Sequence, residues 1–581
     1  MENTLITPPN PLGKIALSFS GGGFRATSFC LGNLSYLNYR TVSNDKGNQE
    51  TLLSRVEFIS SASGGSFANL GYAYFLYSDK PFEECYQTLK DFMDGTDLLD
   101  AVLNNLNDPK VWQKYPHKGR NLINAFAIAY NEKLFKGANL GLLNRKSVMK
   151  SLKEVCVNAT EFEDGMSFRF QNNDGKTRTG KVGNSNLYLS TRSESLPIIS
   201  KIHLADIVAA SSCFPAGFEP MIFPDDFSHH DLGIEQLAST IYSNRQESFK
   251  SIPLNPDGKK STNGTEENDI QECPEPSLKF ALMDGGIDDN QGINSMMLAD
   301  KRRKDGNNFD TLIACDVGSY FMKPYLPVKE NKKQFFGKFS LTSLSVIYLF
   351  MFVTLISVGT ICGEKMGYET WNIVLITIGG MGLLLWVLFL WIINSEYNKL
   401  IKGDWGNIVH KYVKYFLKIR LSVFEQMLSA RAESVLKMTT SIFMIQLRRM
   451  SYQLFYSQKK WENRRITATI YELSTKEYPT TEKRFKGKLP KTWMQIEHPS
   501  EALMQTAQQA REMGTTLWFD ENNLDKRDKI IATGQFTMCF NLLVYLLEIE
   551  KVTKLSLSLK TLKNDSIQDW KRFNENPMWM I

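Results

Sequence analysis

Two long stretches without a single charge constrain this chain most. Phe339–Gly363 (FSLTSLSVIYLFMFVTLISVGTICG) and Thr370–Ser395 (TWNIVLITIGGMGLLLWVLFLWIINS) contain no Asp, Glu, Lys or Arg. A bilayer core takes about 20 apolar residues of helix, so each stretch is long enough to cross. Only EKMGYE separates them, which predicts a tight two-helix transmembrane hairpin over 339–395. Lys329, Lys332, Lys333 and Lys338 precede the first stretch, and Lys399 and Lys402 follow the second, whereas the connector carries one Lys and two Glu. By the positive-inside rule both flanks face the cytosol. Two buried core helices are the alternative, but a soluble core helix rarely runs this far without a charge.

The rest of the 581 residues exceeds one ordinary core, so a large domain with insertions or two domains is expected. KIALSFS and VEFISSAS read as strands, each followed by a Gly-rich turn and a helix starting near Ala26 and Ser66. This βαβα opening points to a parallel sheet covered by helices. Residues 81–160 read as mostly helical. MSFRFQNNDGKTRTGK reads as strand, turn and return strand, and the polar stretch 243–277 as a mobile surface insertion. SLKFALMDGG, FDTLIACDVGS and RITATIYEL add strands, 405–460 reads as long helix, and GQFTMCFNLLVYLLEI as a buried helix. The α/β pattern therefore resumes after the hairpin. Basic residues in the long helix (Lys411, Lys414, Lys418, Arg420) fit either anionic headgroups or an ordinary solvated face.

Composition removes several function classes. With 68 basic and 62 acidic residues the net charge is +6, too weak over this length to indicate a nucleic-acid partner. Six histidines include no HExxH or other metal-spaced cluster, so no metal or other cofactor is expected. Eight isolated cysteines without a CxxC suit a reducing compartment. The N-terminal MENTLITPPNPLGK lacks the basic start and apolar run of a signal peptide, which predicts a cytosolic main domain.

The chemistry centres on SFSGGGFRATSF, residues 18–29. Gly21 to Ala26 satisfies GxGxxG/A after a strand, the dinucleotide fingerprint, but the second strand ends in serines rather than the acidic residue a ribose needs. GxxxxGK[ST] is absent, which excludes a P-loop. An oxyanion hole is the second reading, because consecutive glycines let N–H groups converge and a helix N-terminus adds its dipole. A bland turn is the third.

The oxyanion reading requires a nucleophile. SSASGGSF places Ser63 in a small-x-Ser-x-Gly pattern between strand and helix, the setting of a nucleophile elbow. Ser61 stands where the first Gly is usual. Centring the elbow on Ser61 would put Ile59 at the tight position, so Ser63 is preferred; a Ser/Gly turn with Ser63 as a simple cap is the alternative. No histidine after residue 284 lies in a convincing loop. ALMDGGIDDNQG offers instead Asp284 at a strand end, where partial desolvation raises a carboxyl pKa and equips it to accept the serine proton. Asp288, Asp289 and Asp316 are weaker candidates, and a plain Asp-Gly turn is the alternative.

Four motifs in order, SGGGFRA, SASGG, ADIVAASSCFPAGFEP (205–220) and MDGG, resemble the patatin-like phospholipase family, and the first also looks like the glycine-arginine loop of the cytosolic phospholipase A2 relatives. The resemblance implies an α/β fold, a patatin-like parallel-sheet core covered by helices, here with the transmembrane hairpin added. Taken with the hairpin, it gives expected domains at 12–330 (main catalytic part), 339–395 (hairpin) and 400–581 (mixed α/β, completing the catalytic domain). It implies Ser63 as nucleophile, Asp284 as base without a histidine, Gly21, Gly22 and Gly23 as oxyanion donors, and Arg25 either meeting the lipid phosphate or supporting the loop. Ser61 and the hairpin depart from the family pattern.

The expected function is a membrane-anchored serine lipid acyl hydrolase cleaving fatty-acyl esters of glycerophospholipids. Its catalytic domain and both termini are expected to be cytoplasmic, and its activity metal-independent. Its partners are the membrane phospholipid substrate, the lipid bilayer, and a homo-oligomer or regulatory partner for control. A regulated, membrane-damaging defence effector is one role for such a protein. A lysophospholipase or transacylase with the same dyad is an alternative, as is a non-enzymatic membrane scaffold.

Overall fold

The computed structural model describes residues 10–44, 47–144, 151–172, 182–189, 195–215, 217–243, 279–303, 307–318, 336–401, 418–438, 442–478 and 492–581. The return strand expected within 166–181 and nearly all of the insertion at 243–277 lie outside these residues, as do Lys329, Lys332, Lys333, Lys402, Lys411 and Lys414. The chain divides into two compact units, Met1–Phe321 with Ile442–Ile581, and Met322–Ser441.

The first unit is built on one eight-stranded sheet. Its strands are β1 (Ile15–Phe19), β2 (Val56–Ala62), β3 (Glu154–Glu161), β4 (Met166–Gln171), β5 (Met221–Phe223), β6 (Phe280–Asp284), β7 (Thr311–Asp316) and β8 (Arg465–Thr469). The order is β8-β7-β1-β2-β3-β6-β5, with β4 also on β3. The five strands from β8 to β3 are parallel. Those around β6, and β4 on β3, run antiparallel. The sheet is thus mostly parallel, with an antiparallel flank that the βαβα opening does not foretell.

All five residues of β1, IALSF, are buried, the near-continuous apolar run of a strand covered on both faces. Its register sets Phe19 beside Ser61 on β2 and Cys315 on β7. The C-terminal ends of these strands therefore line up, which is where open α/β sheets place their sites.

β3 corrects the helical reading of 81–160. Helices occupy α3 (Phe82–Phe92), α4 (Thr96–Asn107) and α5 (Leu122–Tyr130), but EVCVNATE forms a wholly buried strand. Burial on both faces removes the alternation that marks a strand in sequence.

Helices cover both faces: α1 (Gly23–Tyr39), α2 (Gly65–Tyr77), α6 (Leu204–Ser212), α7 (Gly286–Asp289) and α8 (Ile293–Arg302) from the N-terminal part. The expected starts near Ala26 and Ser66 fall at Gly23 and Gly65.

The second unit holds α9 (Leu341–Met366), α10 (Thr370–Ile401) and α11 (Leu421–Lys437). α9 and α10 pack as a hairpin with glycines at their contact. A Cβ added to Gly359 would stand 3.0 Å from the Asn372 carbonyl, and one on Gly379 2.9 Å from that of Phe352. Small residues at this contact let apolar helices approach closely. The outer faces are bare: Phe350, Leu384 and Trp391 are 71%, 72% and 65% exposed.

After it, the first unit resumes with α12 (Phe443–Ser457), β8, α13 (Glu501–Glu512), α14 (Leu524–Val552) and α15 (Leu557–Glu575). The single long helix expected over 405–460 is instead α11 and α12 among the described residues.

Three described helices are long and apolar enough to cross a membrane: α9, α14, and Thr370–Ile392 within α10. α14 is different in kind, because it is mostly buried against α1. Gly32 and Gly534 sit at that crossing, where an added Cβ would meet the Ile531 carbonyl at 2.0 Å and the Phe29 carbonyl at 2.3 Å.

Candidate active site

Three turns at the C-terminal edge of the sheet converge. After β1, Ser20 N–H donates to the Cys315 carbonyl at 3.0 Å and Gly21 N–H to that of Asn290 at 2.8 Å. Gly22 and Gly23 then take φ values of 139° and 61°, backbone that side-chain-bearing residues rarely adopt. Phe24 N–H donates to the Thr516 carbonyl at 2.7 Å. Among the described residues nothing accepts from Gly22 or Gly23 N–H. These two donors stand at the positive end of α1. Three donating glycines were expected; the Gly21 N–H is already engaged by Asn290, which leaves two.

The second turn follows β2. Ser63 has φ 49°, a strained conformation for a non-glycine residue, of order 1–3 kcal/mol. Gly64 lies flat on the glycine loop: an added Cβ would stand 1.9 Å from the Gly23 carbonyl. At Gly65 it would stand 2.7 Å from the Ser20 carbonyl. Ser61 fits because its hydroxyl has partners, Ser66 Oγ at 3.1 Å and the donating Asn69 Nδ2 at 2.9 Å.

The third turn follows β6. The Ser63 hydroxyl stands near enough to the Asp284 carboxylate to favour its charged form, and Gly286 N–H donates to Asp284 Oδ1 at 2.6 Å. Burial pushes the Asp284 carboxyl up to about 6, against the opposing pull of the Gly286 N–H and the Ser63 hydroxyl. At neutral pH it is therefore ionised yet a stronger base than a solvated carboxylate. Among the described residues no histidine bonds either side chain. Ser63 and Asp284 are 8% and 5% exposed.

The block 205–220 carried no residue role in the sequence reading. α6 lies within it and supplies Ser211. The Ser211 carbonyl accepts both Ser63 N–H and Gly285 N–H, each at 3.1 Å. Its hydroxyl accepts Ser63 N–H at 2.9 Å and donates to the Asn158 carbonyl at 2.6 Å. One residue thereby sets the spacing between the two turns. Asn290, also missed, holds Gly21.

The other carboxylates are engaged elsewhere. Asp289 accepts Ser295 N–H at 2.9 Å and caps α8. Burial raises the carboxyl of Asp288, beside Arg169 and Ser167. Asp316 pairs with Arg448 at 2.7 Å.

Arg25, expected at the lipid phosphate or in support of the loop, donates Nη1 to the Met513 carbonyl and Nη2 to the Val317 carbonyl. Burial lowers its guanidinium to about 10, opposed by Asp316 and assisted by Arg448. Its fork binds main chain on both sides of the loop, which fits the loop-supporting alternative.

Among the described residues no three of His, Cys, Asp and Glu gather to hold a metal. A cleft of about 640 Å³ lined by residues such as Thr41, Asn44, Glu50, Arg55 and Ser558 includes neither Ser63 nor Asp284.

A serine on a strained elbow, a buried carboxylate and helix-end glycine donors, set on a mostly parallel sheet, have the makings of an acyl-transfer site. Residues 17–295 match the family model described as patatin-like phospholipase. Over those residues the chain is a patatin-like phospholipase domain, an enzyme domain of the phospholipase class. A solved structure, human GIVD cytosolic phospholipase A2, is similar at 12% identity and a TM-score of 0.30. That match covers 52% of this chain and 43% of the other, less than half of that protein's length. No curated protein matches the chain.

Proposed function

We propose that the protein is a membrane-anchored lipid acyl hydrolase that cleaves fatty-acyl esters of glycerophospholipids with a Ser63–Asp284 dyad. The observation that carries this reading is that Ser211 ties the strained Ser63 turn to the Asp284 turn, which sets the Ser63 hydroxyl beside a buried carboxylate that burial raises to about 6. The family match over 17–295 supports the substrate class.

In the proposed reaction Ser63 Oγ attacks the acyl carbonyl while its proton passes to Asp284. The carbonyl oxygen becomes an oxyanion held by Gly22 and Gly23 N–H, each worth about 3 kcal/mol to the transition state. The C–O bond to the lysolipid breaks, and the leaving oxygen takes the proton from Asp284. Water then attacks the acyl-serine and gives its proton to Asp284. Collapse frees the fatty acid and returns the proton to Ser63 Oγ.

α9 and α10 anchor this chemistry at its substrate, with both flanks cytoplasmic. Their bare apolar faces and the lysines outside the two stretches support that orientation. The near-complete burial of Ser63 and Asp284 favours a controlled enzyme, opened by an oligomeric or regulatory partner, and membrane damage in defence is the role such control suits.

The test is fatty-acid release from mixed phospholipid liposomes. Wild type releases it, whereas folded Ser63→Ala and Asp284→Ala fall by about 10³-fold or more. Full activity in either variant contradicts the dyad.

A further inference from the structure

The oxyanion loop is held from outside its own motif. β7 ends at Asp316, and the next residue, Val317, meets the loop three times. Its carbonyl accepts Arg25 Nη2. Its N–H donates to Ser20 Oγ at 2.9 Å. A Cβ added at Gly22 would stand 2.8 Å from its Cγ2. The position of Val317 therefore governs where the glycine donors point.

Asp316 in turn fixes Val317. Its carboxylate is fully buried and accepts Arg448 Nε at 2.7 Å, Tyr452 Oη at 2.9 Å and Gly318 N–H at 2.7 Å. Arg448 is also buried, and its Nη2 donates to Tyr471 Oη at 3.0 Å. Arg448 and Tyr452 are one turn apart on α12. The same helix packs on α7, where an added Cβ at Gly286 would stand 3.0 Å from Met444 Cε. Gly286 is the residue whose N–H holds Asp284. α12 thus touches the support of the donors and the support of the base.

We infer that Arg448 is a positioning residue for acyl transfer: its ion pair with Asp316 holds Val317, and through Val317 the glycine loop, where the Gly22 and Gly23 N–H groups meet the oxyanion. This inference rests on the dyad reading and deepens it. Without Arg448 a buried carboxylate loses its cation, which is strongly unfavourable. Arg25, already in the field of Asp316, becomes the replacement cation. Drawn toward Asp316, it shifts the fork that now holds the Met513 and Val317 carbonyls, so the donors lose aim rather than number. The chain leaves for the second unit after β7 and returns into α12, so the pair also closes the root of that insertion.

The full-length protein in phospholipid mixed micelles provides the test, with wild type, Arg448→Gln, Arg448→Lys and Tyr452→Phe compared. Reaction to completion with a fluorophosphonate counts folded sites, so kcat is read per site. Arg448→Gln is expected to lose about 10- to 100-fold in kcat, with KM within about twofold. Affinity for a trifluoromethyl ketone, whose serine adduct carries the oxyanion, falls in parallel, while affinity for a non-hydrolysable ether phospholipid holds. Arg448→Lys recovers part of the loss, and Tyr452→Phe shows a smaller one. Unchanged kcat per site in Arg448→Gln, or equal loss of both ligands, overturns the inference. Where Arg448→Gln yields no countable site, Tyr452→Phe decides: unchanged kcat and ketone affinity overturn it. A wild type that neither releases fatty acid nor reacts with the fluorophosphonate overturns the dyad reading first, and this inference with it.

Discussion

Asp284 carries a charge where a carboxylate is hard to ionise. Its pKa is raised from 3.8 to about 6 by burial, so the folded state holds its proton more tightly than the unfolded state. Stability from this group is complete below pH 3.8 and is lost as pH rises to about 6, a loss of about 3 kcal/mol. Asp284→Asn is therefore expected to abolish fatty-acid release while raising the melting temperature at pH 7.5. The gain opens between about pH 4 and 6 and is flat above, as thermal melts across pH will show. In the wild type, release falls about tenfold per pH unit below about 6. A melting difference independent of pH would contradict the assigned ionisation. Ser63 and Asp284 are legible in sequence because each occupies a turn that demands glycine neighbours: Gly64 lies against Gly23, and Gly286 donates to Asp284. Ser211 and Asn290 are not legible, because each acts through a main-chain carbonyl that any residue supplies. The two roles of Arg25 were open in sequence, because its partners, Val317 and Met513, are distant along the chain.

Apolar length alone separates elements poorly. α9, α10 and α14 all pass for membrane spans by length and hydropathy. α14 is set apart by what it packs against, since Gly32 and Gly534 let it seat on α1. Charges in its first turns, among them Asp525, Lys526, Arg527 and Lys529, also mark it off from the two uncharged stretches. β3 lacked such a cue, because all eight of its residues are buried. The hairpin makes its own prediction. The proposed orientation, with both flanks cytoplasmic, would put the Glu364–Glu369 connector on the far side of the membrane. In sealed inside-out vesicles, the peptide carrying position 365 of Lys365→Cys in a Cys362→Ser background should stay unlabelled by a membrane-impermeant maleimide until detergent is added. Rapid labelling before detergent would reverse the orientation.

At the scale of the molecule, the sheet of the first unit is assembled from distant parts of the chain. β8, beyond the second unit, completes the parallel run beside β7, and Thr516 accepts Phe24 N–H at the glycine loop. The family match stops at residue 295, yet residues after the hairpin brace the donors it contains. The α/β class and the region of the site were readable from strand, turn and helix order. The antiparallel flank was not, because register across the sheet is set by tertiary packing. The central claim is that Ser63 is a nucleophile activated by Asp284. The most direct measurement is to react the full-length protein with a fluorophosphonate and locate the adduct by peptide mass. The expected result is one adduct on Ser63, formed at least about 100-fold more slowly in Asp284→Asn. An adduct on another serine, or equal rates in both proteins, would contradict the account.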